Sequence, residues 1–110
     1  MAYDEVLADR IRECLQGESG VTEKAMFGGL AFMVNGNMAV SASGHGGLLL
    51  RVDPAQTESL VAKPHAARFE MRGREMDGWL RVDADGVKTL RDLKKWVTIG
   101  VSYARSLPAK

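Results

Sequence analysis

Side chains able to carry chemistry are few in this chain, and they do not fall into working sets. There are two histidines, His45 and His65, and one cysteine, Cys14. His45 stands inside Gly44-His45-Gly46-Gly47 and His65 follows Pro64, with no neighbouring Asp or Glu at a spacing that completes a metal site. A lone cysteine supplies neither an internal disulfide nor a cysteine-based zinc site. Ser43, His45 and Asp53 contain the residue types of a nucleophilic triad, but a triad is defined by geometry in space rather than by order along a chain. The glycine loop has the composition of a phosphate cradle. Such a cradle leads from a strand into a helix N-terminus and often supplies a Lys, whereas this one leads into the apolar run Leu48 to Val52. It reads as a hairpin loop. No catalytic, cofactor-binding or metal-ligating residue is assigned, and no cofactor is expected.

Charge offers more. Residues 1 to 62 hold four Lys/Arg against eight Asp/Glu, and residues 63 to 110 hold eleven against six, which together give the net +1 of the chain. Within the basic half, Arg72, Arg74, Lys88, Arg91, Lys94, Lys95 and Arg105 form a candidate interaction surface. A basic surface can meet phosphate, an acidic protein, or the acidic half of a second copy. No aromatic residues are interleaved with these cations as base-stacking platforms require. Trp79 and Trp96 read as core or interface residues.

The elements that position these residues follow from periodicity. Tyr3, Val6, Leu7, Ile11, Cys14 and Leu15 recur at the spacing of one apolar stripe, predicting a helix from Asp4 to Gln16 that Gly17 closes. Lys24 to Asp53 then holds three short apolar runs separated by Asn35-Gly36 and by the glycine loop, a three-stranded antiparallel meander. In it Leu30, Phe32, Val34, Met38, Val40 and Ala42 make a bulky face, while Ala31, Met33, Ala39, Ser41 and Ser43 make a smaller one that a helix or another subunit would cover. Asp53-Pro54 opens a short helix with an N-cap and a proline in the first turn, ending before Pro64. Two further strands are expected at Arg68 to Arg72 and Trp79 to Val82, joined near Gly73-Arg74. Thr89 with Asp92 resembles a capping box and starts the longest helix, which Pro108 ends. The expectation is an α+β domain over residues 1 to 110, with three helices on an antiparallel sheet of about five strands, in the order α-β-β-β-α-β-β-α.

A chain of 110 residues, 45% hydrophobic, suffices for one core. No apolar run approaches the ~20 residues of a membrane span, and the N-terminus lacks the basic-then-apolar order of a signal peptide, so a cytoplasmic protein is expected.

The motifs themselves resemble a family. Met26-Phe27-Gly28-Gly29, a hairpin, and Leu49-Leu50-Arg51-Val52-Asp53 are similar to the N-terminal domain of the TfoX/Sxy family. Gly78-Trp79-Leu80, Val82-Asp83, Trp96-Val97, Gly100-Val101 and Ala104-Arg105-Ser106-Leu107-Pro108 look like the ending of its small single-domain members. The resemblance implies a fold similar to type III secretion chaperones. It also implies a part in regulating natural competence, where the namesakes act as positive regulators of DNA-uptake genes and carry a second, helical domain. It brings no catalytic residues with it. The function expected is a non-enzymatic binding module, a homodimer acting through protein contacts, with a nucleic-acid-binding regulator as the alternative.

Overall fold

The computed structural model describes every residue except 1, 2, 27, 45, 72 and 110, and the backbone alone of Met26, Met71 and Met76. Its elements are α1 (Glu5–Cys14), β1 (Val21–Met26), β2 (Gly29–Val34), β3 (Asn37–Ala42), β4 (Leu48–Arg51), α2 (Thr57–Val61), β5 (Ala66–Met71), β6 (Arg74–Val82) and α3 (Leu90–Ser106). Short 3₁₀ turns at Pro54–Gln56 and Ala84–Val87 precede α2 and α3.

The six strands form one sheet in the order β1-β2-β3-β4-β6-β5, with every neighbouring pair antiparallel. The α+β class holds, but the strand count of about five is corrected. β1 is the addition, pairing with β2 from Val21 opposite Val34 to Met26 opposite Gly29. Thr22, Glu23, Lys24 and Ala25 are all exposed, so this edge strand carries no buried alternation for a sequence to display. β6 also begins at Arg74 rather than Trp79, because the β5–β6 hairpin continues past a register shift at Arg68/Phe69.

Local grammar sets the remaining boundaries. Asn35 and Gly36 have φ of 53° and 84°, the paired positive values of a type I′ turn, and they connect Val34 directly to its partner Asn37. Asp4 accepts from the amides of Val6 and Leu7, Asp53 from Ala55, and Thr89 from Asp92, each satisfying a donor that the first turn of a helix leaves open.

All three helices pack on one face of the sheet. Leu7, Ile11, Leu93, Val97 and Ala104 join Phe32, Val40, Leu48, Leu50, Leu80 and Val82 in one buried cluster. The opposite face carries a second, smaller cluster of Ala31, Met38 and Leu49, against which Met33, Phe69 and Trp79 are packed. Met38 was expected on the bulky face. A register shift in the β2–β3 pairing sets Phe32 opposite Val40 but Met33 opposite Met38, so Ala39 is the extra residue of a bulge. Met38 thereby changes sides, and Ala39 joins the helix-covered core. No helix among the described residues is long and apolar enough to cross a membrane.

Candidate interaction site

α3 carries the site, and the sheet fixes where α3 lies. Gly100 sits so close to β3 that a β-carbon on it would stand 2.6 Å from the Ala39 carbonyl oxygen and 2.9 Å from Val40. With Leu93, Trp96, Val97, Gly100, Val101 and Ala104 inward, the helical period turns Arg91, Lys94, Lys95 and Thr98 to solvent.

Two adjoining hollows open along this outer side, with volumes of about 290 and 600 Å³. Lys63, Lys95 and Ile99 line both. The first also takes in Pro64, Gly86, Asp92 and Trp96, and the second Arg91, Lys94 and Thr98. The result is a cleft between the end of α2 and the outer side of α3, with apolar walls and a cationic rim. Lys63, Arg91, Lys94 and Lys95 form no ion pair among the described residues, and Asp92 is the one acid lining the cleft. Trp96, 7% exposed, contributes an edge and lies otherwise in the core.

Of the seven cations read from the sequence as one surface, the structure brings three together, Arg91, Lys94 and Lys95. Arg105 is engaged elsewhere: its guanidinium donates to Glu18 at 2.7 Å and to the Ser19 carbonyl at 3.0 Å. Arg74 opens β6 beside the hairpin turn, opposite Met71 and on a different element. Lys88 is exposed before α3 and lines neither hollow. Arg72 lies outside the described residues. Three of those cations thus share the cleft with Lys63, which the sequence reading did not include. Lys63 stands in the turn between α2 and β5, 28 residues before Arg91, and the one available signal was Pro64 beside it.

Other arrangements also join residues far apart in sequence. The Arg51 guanidinium lies 5.6 Å from the centre of the Trp79 ring and 5.7 Å from that of Tyr103, within cation–π range of both. His65 Nδ1 stands 3.0 Å from the Asp83 carboxylate, which also accepts from the Gly86 amide. Desolvation pushes the Asp83 carboxyl up, but the Gly86 amide and His65 outweigh it and hold the group below the usual range. Burial raises the Cys14 thiol. Among the described residues no three His, Cys, Asp or Glu side chains converge as metal ligands would. His45, part of the histidine reading, lies outside the described residues.

A family model, the TfoX N-terminal domain, matches residues 13–104. The chain belongs to the TfoX N-terminal domain family. The match spans α3 up to Ala104 and all six strands, so the cleft of this TfoX-type domain falls inside the family unit. Comparisons with curated proteins and with solved structures found no match.

Proposed function

We propose that this TfoX-type domain is a non-enzymatic, cytoplasmic regulatory module of the competence-regulator kind that acts through protein-protein contacts. One observation carries the reading: the cleft sets four cations, without ion-pair partners among the described residues, around walls formed by Ile99, Pro64 and the edge of Trp96. Apolar surface ringed by charge suits a protein partner, which offers an apolar side chain to the centre and carboxylates to the rim. The proposal includes a likeness to type III secretion chaperones, in which the layer of helices on one face of the antiparallel sheet would be the shared feature.

The test is affinity capture from native lysate with the wild type and the Lys94→Glu/Lys95→Glu variant, each with and without nuclease. The expected result is a set of proteins that survives nuclease and is lost from the variant. Equal capture by both forms, or loss of everything with nuclease, contradicts the reading.

The same four cations favour a second reading, a nucleic-acid-binding regulator. Binding would be led by phosphate, since Trp96 is too buried to stack on a base, and affinity would fall steeply with salt. A mobility-shift titration at low salt that shows no complex with duplex DNA, single-stranded DNA or RNA rules it out.

A further inference from the structure

Two large apolar side chains stand open to solvent among the described residues: Val6, 67% exposed, and Leu90, 42% exposed. Val6 lies on a charged face of α1, and the outward face of α3 carries charge of the opposite sign. On α1 the core takes Leu7, Ala8 and Ile11, so Val6, Asp9 and Glu13 share the outward side with Glu5 at its margin. On α3 the outward side presents Arg91 and Lys95, flanked by Lys94, whereas Leu90 lies in line with the buried Val97 and Val101 and is open only because it begins the helix. Of these six charges only Asp9 has an ion-pair partner among the described residues, Arg12 of its own helix.

The two faces are neighbours in one layer. Arg10 on α1 donates to the Lys88 carbonyl at 2.8 Å, just before α3 begins, and Arg105 near the end of α3 reaches Glu18, just after α1 ends. Hence α1 and α3 run side by side in the same direction, and the acidic stripe stands level with the first turns of α3.

We infer that the occupant of the α3 surface is a second copy of this chain, docked about a two-fold axis along the helices so that α1 of each protomer covers α3 of the other. This rests on the reading of that surface as a protein-docking site and names its partner. A two-fold interface must be complementary to itself. A negative stripe beside a positive one at the same level meets that condition, because the rotation lays each stripe on its opposite twice over. It also takes Val6 out of water. A nucleic acid on the same layer would set its phosphates against Glu5, Asp9 and Glu13.

The interface is tested by light scattering coupled to gel filtration at tens of micromolar, with circular dichroism to confirm that each variant is folded. The wild type is expected to be a dimer that weakens with salt. Lys94→Glu/Lys95→Glu makes both stripes negative, and Glu5→Lys/Glu13→Lys makes both positive, so each variant alone should be a monomer, with dimer affinity down more than tenfold. Mixed one to one, the two variants should form a heterodimer, since every stripe again faces its opposite. A wild-type monomer, variants that dimerise as the wild type does, or a mixture that stays monomeric overturns the inference. A wild-type monomer whose nuclease-resistant partners still vanish on Lys94→Glu/Lys95→Glu would remove the second copy and leave the protein-docking reading in place.

Discussion

Gly100 faces Ala39 so closely that a β-carbon on the glycine would meet the Ala39 carbonyl oxygen at 2.6 Å. The bulge at Ala39 and the missing side chain at Gly100 together seat α3 directly on β3. That contact sets the height of the helix that carries Arg91, Lys94 and Lys95. The positioning device and the cleft therefore share one helix, on opposite sides.

Replacing Gly100 by Ala should destabilise the protein. In an open helix the change gains up to ~1 kcal/mol of helical propensity. Here the methyl must displace backbone, and overpacking of a filled core costs about 1–3 kcal/mol, so the net sign is a loss. Urea unfolding followed by circular dichroism checks it, and a midpoint at or above that of the wild type contradicts the close approach.

Arg51 should matter more than a half-buried surface arginine. It stands within reach of two rings, Trp79 and Tyr103, and each cation–π contact is worth about 0.5–1 kcal/mol when partly exposed. Arg51→Ala is expected to lose about 1–2 kcal/mol in chemical denaturation, and Arg51→Lys part of that, since the ammonium keeps the charge but not the planar face. An Arg51→Ala midpoint equal to that of the wild type would show that the two rings add nothing.

The Arg12–Glu23 pair ties α1 to the edge strand β1 through hydrogen bonds of 2.7 and 2.8 Å. Hydrogen bonding from Arg12 holds the Glu23 carboxyl below its usual range, and Glu23 first, then Asp9, raises the guanidinium in turn. The folded form therefore takes up the Glu23 proton less readily than the unfolded chain. Its stabilisation is complete above the ordinary carboxylate pKa of about 4.3 and is lost as pH falls through the lower folded value. Stability curves of the wild type and Glu23→Gln should differ at neutral pH and converge in acid. Curves that stay parallel down through the acid limb contradict the linkage.

Much of this architecture is legible in residue order because local backbone chemistry decided it. Asn35-Gly36, Asp53-Pro54 and Thr89 announce a turn and two helix starts; the structure has the turn and the start of α3 there, and at Asp53-Pro54 a 3₁₀ turn that leads into α2 at Thr57. β1 was hidden because its backbone ladder to β2 needs no apolar side chains, and its exposed run Thr22 to Ala25 shows no apolar alternation. The bulge that turns Met38 over was hidden as well, since alternation continues unbroken through Ala39 in the sequence and only the pairing with β2 reveals the slip. The cleft was half legible: Arg91, Lys94 and Lys95 share one helix, so spacing alone groups them. Lys63 comes from the turn after α2. Arg105 was rightly read as a surface cation on the same helix, but Glu18 had already claimed it.

A photo-crosslinking amino acid placed at Ile99, on the wall shared by both hollows, tests the central claim most directly. The same group at Arg74 serves as the control away from the cleft. Irradiation in native lysate should give nuclease-resistant protein adducts from position 99 and few from position 74. Adducts that vanish with nuclease, or that form equally at both positions, would show that this cleft is not where the domain meets a protein.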